Sequence, residues 1–324
     1  MKERSFAAEL AELPASDQPL RVVVGWDATS TEAIEFAAWL GRSLPVTVQL
    51  VSPLTSSRKK PLSGKKYRKW FKERAAEYET QARKALKPHV PRSQWAKDPA
   101  QLIDNADVAA TLRQSAIDFS ADMIVLGSQA KKSKSRLRPS SVAETLMHSS
   151  PVPLGLAPKG INLSRKGITR VTYALLDDSE TASPIGADGL LSGLEYAATL
   201  ACVLGVPLRI IAFSPAKQHA AVSALATEWN ECTLGLLDRA RDQAHGFATD
   251  IDPSFADTFD VHSLIACGNG WKRAIDSVKW KKGDLLCLVS QPSDQFKRVF
   301  VGSREGEFIR FAPVPVLIYP RGSE

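Results

Sequence analysis

Short apolar runs alternate with longer segments of helical periodicity along the whole chain. In the first part, the apolar runs predict strands over 21–26, 46–52, 123–127 and 152–157, and a weaker pattern favours another over 95–103. Apolar spacings of three and four residues predict helices over 31–42, 66–87, 108–119 and 141–148. In the second part, a similar series predicts strands over 171–176, 208–213, 260–265, 285–290 and 314–319. This alternation is typical of a parallel sheet with helices on both faces.

A fixed spacing relates the two parts of the sequence. The segment "LPVTVQLVSP" ends at Pro53 and "GVPLRIIAFSP" ends at Pro215, which gives an offset of 162 residues (215 minus 53). The same offset connects several later pairs: Asp122 with Asp284, Gly127 with Val289, Ser140 with Gly302, and Ser141 with Ser303. The chain is therefore predicted to be a tandem duplication. We expect an amino-terminal extension over 1–19, a first domain over 20–158, a linker over 159–167 and a second domain over 168–321.

The composition is that of an ordinary globular chain. Its 324 residues, 44% of them hydrophobic, can form two domains that each bury a core. The amino terminus has no apolar run of secretory-signal length, and no segment has eighteen consecutive apolar residues. We therefore expect a cytoplasmic protein with no membrane partner. The four cysteines, far apart in the second half, predict buried reduced thiols, and the spacing of the five histidines predicts no metal site.

Positive charge is concentrated in the first half, although the whole chain carries a net charge of only +7. Twelve Lys or Arg and three acids lie between Arg58 and Lys87, and five of the eight residues over 131–138 are basic. Such a field attracts polyanions, but a solvated helix face is our preferred interpretation of the longer segment. Tyr67, Trp70 and Phe71 interleave with its charges at a spacing typical of a core-facing helix. Nucleic-acid binding by this basic face is therefore the less favoured alternative.

Two segments of the first half resemble the universal stress protein family. "RVVVGWDATSTEA", from Arg21 to Ala33, is similar to that family's opening strand, which ends in an aspartate followed by a small polar turn and a helix. "ADMIVLGS", ending at Ser128, and "SSVAETLMHSSPVPLGLAP", starting at Ser140, are similar to the family's glycine-containing loop that wraps the phosphates of ATP. The resemblance implies an α/β fold of the adenine-nucleotide alpha hydrolase-like, Rossmann-like type. It implies two tandem, open, mainly parallel five-stranded sheets with helices on both faces.

The resemblance also implies a nucleotide site in the first domain. Its residues would be Gly25, Asp27, Val51, Gly127, Ser128, Ala130, Lys131, Ser140, Ser141 and Val142. The family's three loop glycines fall at Gly127, Ala130 and Ser140, so one glycine of three remains. Backbone N–H groups and a helix amino end bind phosphate in such a loop. The basic run that starts at Lys131 either closes over phosphates or is a solvated surface loop.

The matching site in the second domain is predicted to be degenerate. It retains Asp177, Gly302 and Ser303. The first two loop glycines are replaced by Val289, which crowds the strand end, and by Pro292, which removes an N–H from the cradle.

Two residues of the first site each have a structural alternative. The Asp27 carboxylate either hydrogen-bonds a ribose or adenine edge or caps the helix that begins near Thr31. Val51 either packs against an adenine ring or is simply part of the core.

The sequence shows no nucleophile with a base and an orienting group, no paired carboxylates and no GxxxxGK[ST] loop. We therefore predict a non-catalytic regulatory module of a bacterial stress response that holds ATP or another adenine nucleotide in its first domain. The alternatives are a nucleotide-independent scaffold, a nucleic-acid-binding protein and a weak ATP-hydrolysing or adenylating enzyme. As partners we expect an intramolecular pseudo-dimer of the two domains through their last strands, a further homodimer, and an unidentified protein.

Overall fold

The computed structural model describes residues 18–54, 64–128, 137–176, 193–216, 224–255, 257–289 and 304–319. Ten strands form one sheet in the order β3-β2-β1-β4-β5-β10-β9-β6-β7-β8. The strands are β1 Leu20–Gly25, β2 Val46–Pro53, β3 Trp95–Ile103, β4 Met123–Gly127, β5 Leu154–Ala157, β6 Arg170–Leu176, β7 Leu208–Ser214, β8 Val261–Cys267, β9 Asp284–Val289 and β10 Val316–Tyr319. The helices within the described ranges are α1 Glu32–Leu40, α2 Gly64–Leu86, α3 Val108–Asp118, α4 Ser141–Ser149, α5 Leu194–Leu204, α6 Ala224–Ile251, α7 Trp271–Asp276 and α8 Arg304–Ile309, with 3-10 turns at Arg92–Gln94 and Pro253–Phe255.

The first five strands form a parallel set with β1 and β4 at its centre. Strand β1 pairs in parallel with β2 and β4, and its three consecutive valines, 22–24, are completely buried. Such a run, buried on both faces, is typical of a parallel strand between two helical layers. The weakly predicted strand β3 is present and pairs with β2. Its pairing shifts register beside Pro99, a residue that an edge strand tolerates.

The second five strands repeat this arrangement, with β6 between β7 and β9, and β8 paired with β7. The predicted α/β class, with a mainly parallel sheet and helices on both faces, is confirmed. Apolar clusters fill the layers on both faces of the sheet. Each cluster contains residues of both halves of the chain, so the two five-stranded sets share continuous cores.

The two sets of strands meet at β5 and β10, which pair antiparallel as Val316 with Leu156 and Ile318 with Leu154. All four of these side chains are buried. We call this strand pair, Leu154–Ala157 with Val316–Tyr319, the seam. Gly155 lies in it, and a side chain there would come within 2.7 Å of the Phe36 ring. The last strands therefore pair as the resemblance implies, and the strands of the first half run opposite to those of the second.

The segment between the two halves packs against both of them. The Ser164 carbonyl accepts a hydrogen bond from the Arg42 guanidinium (3.0 Å), and the Ser164 N–H donates to the Lys282 carbonyl (3.0 Å). The Ile168 N–H donates to the Ser43 hydroxyl (2.8 Å). The polar segment predicted as a linker is therefore held on the surface of both five-stranded sets.

The aspartate that opens the fourth strand of each set ties that strand to the first. In the first half, the Asp122 carboxylate accepts from the Arg21 backbone N–H (2.6 Å). In the second half, the completely buried Asp284 receives the Arg170 guanidinium (2.6 Å) and lies 3.5 Å from that of Arg209. Burial and the charge of Arg170 lower the pKa of Arg209 to about 10, although Asp284 acts in the opposite direction. The same position thus carries a backbone tie in one half and a buried charge cluster in the other.

All four cysteines are reduced thiols. Cys202 and Cys287 are buried as predicted, and burial raises the pKa of each thiol to about 12. Cys232 is exposed and Cys267 is half-buried, so the expectation of buried thiols is wrong for Cys232. Within the described ranges, no helix has both the length and the apolar character needed to cross a bilayer. The same residues contain no group of three or more potential metal ligands of the His, Cys, Asp and Glu types.

Candidate functional site at the carboxyl end of the first strand set

The chain makes a tight turn directly after β1. The Trp26 N–H donates to the Val51 carbonyl (3.0 Å), and the chain then leaves the sheet at Asp27. Ala28 has a φ of 65°, in the left-handed region that non-glycine residues rarely adopt. The Trp26 indole N–H donates across the turn to the Ser30 carbonyl (2.6 Å). The turn is therefore fixed by side chains of its own before α1 begins.

The Asp27 carboxylate is exposed at this turn and also holds its backbone. Oδ1 accepts from the N–H groups of Thr29 (2.9 Å) and Ser30 (3.2 Å). Partial burial opposes ionisation, but these hydrogen bonds outweigh it, so the pKa of Asp27 lies below its usual value. The carboxylate is ionised near neutral pH. Asp27 therefore organises the turn, and it does so one turn before the helix rather than as its N-cap, which is Thr31.

A buried tyrosine lies behind the turn. The Tyr78 hydroxyl is 3.5 Å from the Trp26 carbonyl, and the two rings are 5.6 Å apart. Burial, together with the negative charge of Asp27, raises the pKa of Tyr78 far above its usual value. This hydroxyl therefore stays protonated and serves as a neutral support for the turn.

Gly127 ends β4 beside the first turn of α1. A Cβ added there would lie 3.6 Å from both the Ser30 hydroxyl and the Ala33 backbone nitrogen, which are ordinary contacts. The glycine is therefore not required by packing, and it presents no side chain at this corner. Glu32 borders the same corner, and its buried Oε2 has no hydrogen-bond partner within the described ranges.

The serines around the loop have structural partners. The Ser128 N–H donates to the Ala157 carbonyl (3.0 Å), and the Ser128 hydroxyl accepts from the Arg138 N–H (2.8 Å). Ser140 is the N-cap of α4, where its hydroxyl accepts from the Ala143 N–H (3.0 Å). Ser141 follows as an exposed first residue of the helix, and Val142 is half-buried. The loop is thus fastened at both ends, and the amino end of α4 lies at its exit.

Gly25 and Val51 lie near the carboxyl ends of β1 and β2, below this edge. They face each other across β1 and β2, and Val51 is completely buried in the apolar layer. A side chain at Gly25 would come within 2.4 Å of a Leu126 methyl group, so it would have to displace that side chain. Val51 is therefore a core residue in the structure. Ala130 and Lys131 of the first site, and Asp177, Gly302 and Ser303 of the second, lie outside the described residues.

The corresponding edge of the second half is filled by aromatic side chains. At the fixed offset, Val51, Ala109 and Leu146 are replaced by Phe213, Trp271 and Phe308. All three aromatic residues are buried. The Phe308 ring lies 4.9 Å from that of Phe213 and 5.4 Å from that of Trp271. Core positions that small and aliphatic residues hold in the first half are thus held by three packed rings in the second.

Several of these features were not identified from the sequence. The aromatic replacements were visible in it, because each lies at the offset of 162 residues that Pro53 and Pro215 define. The support from Trp26 and Tyr78 and the conformation of Ala28 had no sequence signal, since they depend on how the turn packs against α2.

The chain is similar to known proteins in both sequence and structure. Residues 19–157 match the model of the universal stress protein family. Universal stress proteins of Mycobacterium bovis and Mycobacterium tuberculosis are 30% identical to it over 222 residues, which is 66% of this chain and 69% of each relative. The crystal structure of a universal stress protein from Archaeoglobus fulgidus has a TM-score of 0.61 at 18% identity, covering 93% of this chain and 98% of that one. At this identity the structural likeness concerns the fold.

Proposed function

Because this chain belongs to the universal stress protein family, we propose that it is a two-domain, non-catalytic regulatory module of the bacterial stress response that binds ATP or another adenine nucleotide in its first half. The ligand would lie at the carboxyl ends of β1, β2 and β4, the edge where open parallel sheets hold nucleotides. The domains would correspond to 20–158 and 168–321.

The observation that carries the proposal is that the Asp27 turn and Gly127 lie at the same edge of the sheet. The turn is held in place by hydrogen bonds within the protein. Asp27 is exposed and ionised, and it is held by Thr29 and Ser30. Such a carboxylate can accept hydrogen bonds from a ribose. Gly127 leaves its backbone uncovered, and α4 begins at the end of the same loop, so its first N–H groups can meet phosphate oxygens.

The second half would not bind a nucleotide in this manner. Its corresponding edge holds the packed rings of Phe213, Trp271 and Phe308. In addition, a side chain at Gly193 would overlap Val289, the residue that replaces Gly127, at 1.7 Å. Val289 thus packs closely against Gly193, directly before α5, at the position where Gly127 presents no side chain in the first half. We expect one nucleotide per chain.

Isothermal titration calorimetry with ATP tests the proposal. Binding at one site per chain should be lost in the variant that carries both Asp27→Ala and Gly127→Val. Asp252→Ala is the matched control, because Asp252 is another exposed aspartate that accepts a backbone N–H, from Ser254 (2.8 Å), but lies in the second half. Wild-type protein that releases no heat at millimolar ATP would overturn nucleotide binding.

Glu32 offers a test with the opposite sign. Its Cβ lies 3.8 Å from the position that a Cβ would take at Gly127, and its buried Oε2 has no hydrogen-bond partner among the described residues. Glu32→Gln removes the negative charge and keeps the shape, so ATP should bind about fivefold more tightly or better. Adenosine, which has no phosphate, should bind both forms equally. Weaker ATP binding by Glu32→Gln would show that the phosphates lie elsewhere.

The non-catalytic role is tested separately by phosphate release. Among the described residues, no group of three or more His, Cys, Asp or Glu side chains could hold a metal ion beside Asp27. Purified protein should therefore hydrolyse ATP no faster than the Asp27→Ala variant. Turnover that this substitution abolishes would show an enzyme instead.

A further inference from the structure

Helix α2 extends well beyond the edge of the sheet. Tyr78 contacts the Trp26 carbonyl at the end of β1, and fourteen residues of the helix, 64–77, precede it. At a rise of about 1.5 Å per residue, this part projects about 20 Å past that point. Buried residues of α2 begin only at Tyr78. The amino-terminal half of the helix is therefore a surface feature that stands over the carboxyl edge of the first strand set.

The projecting half is strongly basic. Between Gly64 and Arg74 it carries six cations and one acid, Glu73. Four lysines lie on one side of it, because their helical positions fall within an arc of about 120°. We call Lys65, Lys66, Lys69 and Lys72 the lysine stripe. All four are exposed, and none pairs with an acid among the residues that the structure describes.

Aromatic side chains flank the lysine stripe. Tyr67, Trp70 and Phe71 are half-buried and are not part of the fully buried core. The Tyr67 ring lies 5.6 Å from Trp70 and 6.4 Å from Phe71, and its hydroxyl bonds Asp104. Tyr67 thus turns toward the protein. Trp70 is one position after Lys69 and four after Lys66, which places it at the border of the stripe.

The fold itself does not demand this surface. Helix α6 occupies the same place in the second half, and its first eleven residues, "ALATEWNECTL", contain two acids and no Lys or Arg. Two helices with equivalent positions therefore differ by about seven units of formal charge over their first eleven residues, since one has six cations and one acid and the other has two acids only. The cluster of cations at the start of this helix is therefore present in the first half and not in the second.

We propose that the lysine stripe and Trp70 bind single-stranded nucleic acid. The lysines would neutralise successive phosphates, and a base would stack on the exposed part of the Trp70 ring. A membrane-inserting helix presents an apolar face to the outside, whereas here the lysines point outward and Tyr67 is fixed to Asp104. Charge and an adjacent aromatic ring, with no outward apolar face, fit a nucleic acid better than a lipid surface.

Fluorescence anisotropy with a labelled 12-nucleotide oligouridine RNA tests the phosphate contacts. The variant with Lys65, Lys69 and Lys72 changed to Gln should bind about tenfold more weakly at 50 mM salt. The slope of log affinity against log salt should fall by about 2, because single strands give about 0.7 per contact. The matched control changes Lys279, Lys281 and Lys282 to Gln, three exposed lysines of the second half. It should bind like the wild type.

The Trp70→Ala variant tests the stacking. It should weaken binding of the single strand about tenfold, Trp70→Phe should restore most of the loss, and binding of a duplex should not change. Circular dichroism at 222 nm checks that α2 remains folded in each variant. The proposal is overturned if wild-type protein does not bind the RNA at 50 mM salt, or if the control triple variant loses as much affinity as the stripe variant. Tighter binding to phosphatidylserine vesicles than to RNA would also overturn it.

Discussion

The carboxyl edges of the two strand sets share a backbone plan and differ in how the space is filled. The first edge is bordered by Val51, Ala109 and Leu146 and carries the exposed Asp27 turn, whereas the second is packed with three aromatic rings. Both sets keep their parallel pairing. The comparison teaches that equivalent core positions can hold small and aliphatic residues in one half and packed aromatic rings in the other, while the parallel sheet beneath them is retained.

A change at the seam should have the largest effect, because both halves depend on it. Val316→Asp places a charge in the completely buried strand β10. We expect the free energy of unfolding to fall by about 4 kcal/mol or more, with separation or unfolding of the halves. Thermal unfolding and small-angle scattering measure these effects. Ile117→Asp, at a residue that is 59% exposed, is the control. Unchanged compactness and melting temperature in Val316→Asp would contradict the role of the seam.

The two opening aspartates should differ strongly when removed. Asp284→Ala leaves the guanidinium groups of Arg170 and Arg209 without their shared partner in the interior, and should cost about 3–5 kcal/mol. Asp122→Ala removes a bond to the Arg21 backbone at the surface and should cost about 1 kcal/mol. Urea unfolding measures both. Equal losses in the free energy of unfolding would show that the buried charge cluster contributes no more stability than the backbone tie of Asp122.

The aromatic filling can be undone one ring at a time. Trp271→Ala restores the residue type found at Ala109 and removes a ring that packs 5.4 Å from Phe308, so it should cost about 3 kcal/mol. The reciprocal change, Ala109→Trp, should cost about 1–3 kcal/mol by overpacking the first half. Both are measured by denaturant unfolding. A loss below about 1 kcal/mol for Trp271→Ala would mean that the ring is not tightly packed.

The strained turn of the first edge predicts a small gain. Ala28→Gly relieves the left-handed conformation at φ 65°, and should leave stability unchanged or raise it by up to about 1 kcal/mol. Ala76→Gly, at an exposed position inside α2, is the control and should cost about 1 kcal/mol. Thermal unfolding distinguishes the two signs. Destabilisation by Ala28→Gly as large as that by Ala76→Gly would argue against strain.

The smallest predicted effect is on how the melting temperature falls at acidic pH. The pKa of Asp27 is lowered in the folded protein, so the stability that its hydrogen bonds provide is complete above its ordinary pKa, about 4. It is lost as the pH falls through the lowered folded value. Asp27→Asn should therefore lower the melting temperature slightly at pH 7 and flatten its decline below pH 4, where the two proteins converge. An identical decline in both proteins would contradict this assignment.

The sequence predicted the elements well because periodicity reports burial. The run Val22–Val24 is apolar because helices cover both sides of β1, and the weakly patterned strand β3 was recognisable although it contains Pro99, since edge strands accept proline. The last strand begins at Val316 rather than at 314. Pro315 lacks the N–H that a strand ladder needs, which explains the shorter strand.

The site was less predictable, because the same residue type can serve several purposes. Ser140 was expected as a substitute for a phosphate-binding glycine, and the structure uses its hydroxyl to cap α4. Tyr67, Trp70 and Phe71 have core-like spacing, but the helix extends beyond the sheet that would have covered them. Periodicity gives the orientation of a side chain around its helix. It does not give the length over which a neighbouring layer is present.

The seam has a consequence for how the molecule behaves on dilution. Two separate subunits joined through edge strands dissociate when their concentration falls below the dissociation constant. Here both edge strands, Leu154–Ala157 and Val316–Tyr319, belong to one chain, so their encounter is intramolecular at an effective concentration in about the millimolar range. The assembly therefore persists at any cellular abundance. The two halves can also diverge in sequence, because a substitution in one half does not appear in the other, as it would in two identical subunits.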